Sequence, residues 1–135
     1  MISLLIDVNL DGQAERMHAR LQSEEWVEYF DLLDIHFLYF HDVGLDRDDP
    51  DSLVWQQCQE HGYWLFTANR NQNDDDSLES MMRREGNEHS LPVFTVSDAK
   101  RMMRSTPYLD RIVEKLLNYL LTAEALRGSG RLFLP

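Results

Sequence analysis

Carboxylates and carboxamides crowd one stretch of this 135-residue chain, Gly62 to Glu79, which reads GYWLFTANRNQNDDDSLE. Its character changes at Thr67. Four large apolar residues, Tyr63-Trp64-Leu65-Phe66, give way to twelve residues holding four carboxylates, three Asn and one Arg. Oxygen-rich clusters of this kind take hard divalent cations, and Mg²⁺ or Mn²⁺ held by carboxylates typically keeps several waters. A bound cation inverts the local electrostatics so that a phosphate can approach. One such ion with an activated water, or two ions, can hydrolyse a phosphodiester by in-line attack. Two further acids stand at element boundaries: Asp7, which stops the apolar run Ile2 to Ile6, and Asp51, directly after Pro50. The local alternative is that the loop is a solvated acidic surface. In that reading Asp49 and Asp51 are a helix cap and a dipole partner, worth about 0.5–1 kcal/mol each.

The elements that must position these residues alternate along the chain. Ile2 to Ile6 is a continuous apolar run of the kind buried on both faces of a parallel sheet, so Asp7 should emerge at its carboxyl end. Helical spacing follows from Gly12 to about Ser23, with Ala14, Met17 and Leu21 inward, and again from Trp26 to Leu33. Ile35 to Phe40 reads as a second strand, apolar enough to be central. Pro50 suits a helix start, which predicts a helix to His61 with Leu53, Val54 and Gln57 or Cys58 inward. The aromatic run after Gly62 predicts a central strand ending in Thr67. Asp76 and Glu79 predict an N-cap and its capping-box partner for a helix from Ser77 to about Glu85. A strand over Pro92 to Val96, a short helix capped by Ser97-Asp98 and a long helix from Pro107 to about Leu126 complete the series. Arg131 to Leu134 is either an edge strand or a tail docking on a neighbour. The alternation predicts an α/β domain with a mainly parallel sheet of four to five strands and helices on both faces. In such a sheet Asp7, Asp51 and the loop after Thr67 converge at one edge.

Composition narrows the function classes. The chain is long enough for one domain, and 43% hydrophobic residues exclude a disordered protein. A formal charge of −11 argues against nonspecific nucleic-acid binding but leaves room for a local metal-bridged site. No apolar run is long enough for a signal peptide or membrane span, and the single cysteine, Cys58, fits a reducing cytoplasm.

Asp7-Val8-Asn9-Leu10 after the first strand, Asp42-Val43-Gly44-Leu45 after the second, Asp51 opening a helix, then Gly62 and a strand ending in Thr67 resemble the PIN-like domains. The likeness is to the small toxin-type members often paired with antitoxins, and it covers roughly residues 1 to 80. It implies a PIN fold, a divalent-metal site (Mg²⁺ or Mn²⁺), ribonuclease activity on an RNA substrate and a possible antitoxin partner. Position by position, it makes Asp7 the first acid and Asp51 the second, and lays the T-x-D-x-D signature on Thr67-Ala68-Asn69-Arg70-Asn71. Here the chain departs from the family, because both signature acids are Asn and the acid that often follows the first Asp is Val8. The site set implied by the resemblance is therefore Asp7, Asp51, Asn69 and Asp74, with Asp75 as a further ligand able to restore lost charge. The competing expectation is a catalytically degenerate PIN-like module that binds or regulates through a protein partner. A phosphate-accepting receiver domain shares the layout, but it needs an Asp after the third strand and a Lys after a later one. This chain has Thr67-Ala68-Asn69 and Ser97-Asp98 instead.

Other groups carry less. His41-Asp42 is a weak acid-base pair, since neighbouring strand-end residues point apart. Arg83-Arg84 and Lys100-Arg101-Arg104 are either an RNA-contact rim or the solvated faces of helices whose methionines pack inward. The apolar stripe Leu116, Leu117, Leu120 and Leu121 is wider than one sheet face needs, which predicts a homo-oligomer or a partner covering part of it.

Overall fold

A computed structural model describes residues 1–70 and 77–135. Five parallel strands form one sheet: β1 (Ile2–Ile6), β2 (Ile35–Leu38), β3 (Tyr63–Thr67), β4 (Val93–Val96) and β5 (Arg131–Leu134). Their order across the sheet is β2-β1-β3-β4-β5. Between them run α1 (Asp11–Leu21), α2 (Val27–Leu33), α3 (Asp51–His61), α4 (Leu78–Glu85), α5 (Ala99–Met102) and α6 (Thr106–Leu121). The central strands β1, β3 and β4 form because their apolar runs are buried on both faces, and alternate residues feed two cores. Leu4, Ile6, Trp64, Phe66 and Phe94 pack with α1, α2 and α6 on one side. Leu5, Leu65 and Val93 pack with α3 and α4 on the other. Crossovers on opposite faces reverse direction after β1, so a crevice opens between the carboxyl ends of β1 and β3, where sheets of this kind collect ligands.

Four expectations need correction. The second strand is shorter than Ile35–Phe40 and lies at the sheet edge, because α3 carries the chain back over β1 and places β3 on its far side. Beyond Leu38 the chain turns into a 3₁₀ helix, Phe40–Val43, which buries Phe40. In α3 the inward face holds Val54 and Cys58 as expected, with Leu53 half-buried against the same core, and it gains Trp55, while Gln57 is not part of it. The last helix stops at Leu121, where Thr122 leaves helical geometry (φ −121°, ψ 33°) and a 3₁₀ turn covers Ala123–Leu126. Ser77 is the N-cap of α4, its hydroxyl accepting the Ser80 N–H at 3.2 Å, while Asp76 lies outside the described residues.

The apolar stripe of α6 is consumed inside the chain. Leu116, Leu117 and Leu120 are buried against the sheet and α1, and of the four leucines only Leu121 is exposed, at 49%. That removes the reason for a second copy at this face. The C-terminal segment is an edge strand, paired in parallel with β4 from Val93↔Arg131 to Val96↔Leu134. No helix among the described residues is long and apolar enough to cross a membrane.

Candidate functional site

The crevice holds a cleft of about 380 Å³ lined by Asp7, Asn9, Arg47, Asp49, Asp51 and Asn69, with Val8, Phe40, Val54, Leu65 and Leu78 among its apolar wall. Each acid arrives by a different local device. Asp7 follows the last residue of β1, and its backbone N–H continues the ladder to the Phe66 carbonyl at 2.9 Å. The chain then tightens into a 3₁₀ turn that Asp7 caps, its Oδ1 accepting the Asn9 N–H at 3.3 Å. Asp51 is the first residue of α3, where the dipole of the helix favours a carboxylate.

Thr67 and Asn69 link the two acids. The Thr67 hydroxyl, fully buried, donates to Asp7 Oδ2 at 2.6 Å and accepts the Asn69 N–H at 3.0 Å. The Asn69 carboxamide nitrogen then donates to Asp51 Oδ2 at 2.8 Å. Burial pushes the Asp51 carboxyl above its ordinary value. The Asn69 hydrogen bond opposes that, the charge of Asp7 adds to it, and the Leu78 N–H and the Arg131 charge oppose it. Asp7 and Asp51 therefore share one cleft and feel each other's charge, the convergence expected from their positions in a parallel sheet.

Arg131, at the head of β5, fixes the loop that carries Asn69. One terminal guanidinium nitrogen donates to the Asn69 carbonyl at 2.8 Å and to Thr95 Oγ1 at 2.7 Å, and Nε donates to Glu79 Oε1 at 2.5 Å. Sequence reasoning gave Glu79 a capping role and Arg131 none. The available signal was a lone cation opening an otherwise apolar strand. Arg47, Asn9 and Asp49 also line the cleft, outside the ligand set that the sequence suggests, and Asp49 is tied down by the Asp46 N–H at 2.7 Å.

Asn71, Asp74 and Asp75 lie outside the described residues. Among the described residues no group of three or more His, Cys, Asp or Glu is placed to hold a metal. Mg²⁺ and Mn²⁺ commonly bind through one or two carboxylates and keep water for the remaining positions, and Asp7 and Asp51 both line this cleft. His41 and Asp42 do pair, at 3.3 Å, but on an exposed 3₁₀ turn and not among the cleft's lining residues. Met81 and Met102 are buried and Met82 packs half-buried on the core, while Arg83, Arg84, Lys100 and Arg101 are on the exposed faces of α4 and α5 and Arg104 is exposed in the turn after α5. No protein-family model matches the chain, and no curated protein or solved structure matches it either.

Proposed function

We propose that this chain is a PIN-like protein of toxin type that binds a divalent cation, Mg²⁺ or Mn²⁺, through Asp7 and Asp51 and cleaves RNA slowly in the cytoplasm. The observation that carries the reading is the hydrogen-bonded path Asp7–Thr67–Asn69–Asp51 across the switch point of the sheet. It orients two carboxylates from remote parts of the sequence into one cleft. A cation held there supplies Lewis-acid polarisation of a phosphoryl oxygen. Asp7 and Asp51 would hold that ion, while Thr67 fixes the Asp7 carboxylate and Asn69 holds Asp51 with a neutral donor where the family pattern has an acid. With Asn at both signature positions the site has two fewer carboxylates than the family pattern, which means weaker cation affinity, hence the slow turnover.

The Asn69–Asp51 bond favours a second reading. A carboxamide that already hydrogen-bonds Asp51 reduces the need for a cation, as in a degenerate PIN-like module that works through a protein partner such as an antitoxin. Cleavage of a mixed single-stranded RNA pool by wild type, Asp7→Asn and Asn69→Asp, with calorimetric Mn²⁺ titration and thermal melts, separates the two. The nuclease reading expects weak wild-type activity, loss in Asp7→Asn with the fold intact, and a gain of about tenfold or more when Asn69→Asp adds a ligand charge. Equal cleavage by wild type and Asp7→Asn refutes it. No Mn²⁺ binding and no cleavage in any variant leaves the binding module.

A further inference from the structure

We propose that the free edge of β2 is a docking strand for an extended segment of a partner protein that carries Lys or Arg, added to the sheet by backbone pairing. Among the described residues β2 pairs only with β1, so alternate backbone N–H and C=O groups of Ile35 to Leu38 point away from the sheet. Among the described residues no side chain hydrogen-bonds the backbone of this strand. The opposite edge is closed further, since the Tyr119 hydroxyl donates to the Phe133 carbonyl of β5 at 3.3 Å. Edge strands that must stay single are kept very short or carry a charge, a proline or a bulge; β2 is only four residues long, but Ile35-His36-Phe37-Leu38 has no lysine or proline.

A groove of about 330 Å³ lies along this strand, lined by His18 and residues 35 to 39. Its wall is firm, because the His18 ring packs edge-on against Phe37 at 5.0 Å and Phe30 at 5.4 Å between centroids. Both ends of the strand are acidic. Asp34 stands at its head, exposed, holding His36 Nε2 at 2.8 Å and with the amino-terminal ammonium 4.0 Å from its other oxygen. At its foot, burial raises the Tyr39 hydroxyl pKa, and the charges of Glu15, Asp11 and Asp42 raise it further. An apolar strand edge between negative ends selects a basic extended segment, with main-chain hydrogen bonds supplying affinity and charge supplying choice. A second copy of this chain brings the same acidic ends and the same −11 field, which disfavours self-pairing.

The probe is an alternating Arg-Val peptide of about eight residues, with a Glu-Val peptide as control, mixed with the full chain at millimolar concentration. Amide exchange measured by NMR should slow by about fivefold or more at the outward-pointing amides of residues 35–38 with the Arg peptide alone, the Tyr39 N–H being already held by Asp42 Oδ2 at 2.8 Å. His36→Lys, at an exposed position, should abolish the effect, and Asp34→Asn with Glu15→Gln should weaken binding about fivefold at unchanged Tm. Asp7→Asn should leave it intact, which separates this edge from the acidic cleft. Protection at residues other than 35–38, equal binding of the Glu peptide, no protection at all, or a dimer in sedimentation that shields β2 without peptide would each overturn the proposal.

Discussion

Removing the partner of Arg131 tests how the candidate site is built. The Arg131 side chain is 7% exposed and that of Glu79 24%, with Nε 2.5 Å from Oε1. Besides Glu79 the guanidinium has two neutral acceptors on one terminal nitrogen, and its other terminal nitrogen is buried without a partner among the described residues. Glu79→Met therefore leaves a cation in a poorly solvated place with only dipoles to face. Breaking a fully buried pair from one side costs about 3–5 kcal/mol, and the partial exposure of Glu79 together with the remaining acceptors brings this to about 2–3 kcal/mol. At about 3–4 °C per kcal/mol for a domain of this size, Tm should fall by about 6–12 °C. Removing both charges is a different perturbation. Glu79→Met with Arg131→Met strands only the Thr95 hydroxyl and the Asn69 carbonyl, at about 1 kcal/mol each, while an apolar replacement of a buried ion pair is itself often neutral or stabilising. The double variant should thus be more stable than Glu79→Met alone. Thermal and urea melts of wild type, both single variants and the double variant form the cycle that measures this coupling. If the double variant loses the sum of the two single losses, Arg131 and Glu79 act independently and the reasoning fails.

Three other outcomes follow from the same physics. The Asp51 carboxyl is raised by burial above its ordinary value, so its ionisation opposes folding; the penalty is absent below the ordinary aspartate range and sets in as pH rises from there through the folded value. Asp51→Asn should accordingly raise Tm at neutral pH in chelator, with the gain vanishing in acid, and a gain that persists in acid counts against this origin. Burial pushes the Cys58 thiol up to about 12, so a thiol-specific disulfide reagent at pH 8 should label the native chain at the rate of global unfolding, and fast labelling would show an open thiol. Gly128 sits at φ +83° with Glu88 Cα only 3.0 Å from where a Cβ would stand, so Gly128→Ala should cost about 2 kcal/mol or more in urea melts. A change within error would mean that the turn relaxes freely.

The sequence alone determined the strands and most of the helices, because each is written locally. Four-to-five-residue apolar runs bounded by Asp7, Gly62 or Pro92 specify strands buried on two faces, and the spacing of Ala14, Met17 and Leu21 specifies the inner face of α1. The meeting of Asp7 with Asp51 was legible for the same reason, since a parallel sheet brings strand ends and helix starts to one edge. Tertiary structure decided what depends on partners distant in sequence. Ile35 to Leu38 is as apolar as a central strand, but strand order comes from the hand and face of each crossover, which no residue in β2 encodes. The α6 stripe looked too wide for one sheet face until α1 and α2 were packed beside it. Glu79 read as a cap because capping is a three-residue pattern, whereas its bond to Arg131 spans 52 positions. Only the register of β4 with β5 brings that guanidinium to the Asn69 loop, and an ion pair closed across such a distance is invisible to any window of local sequence.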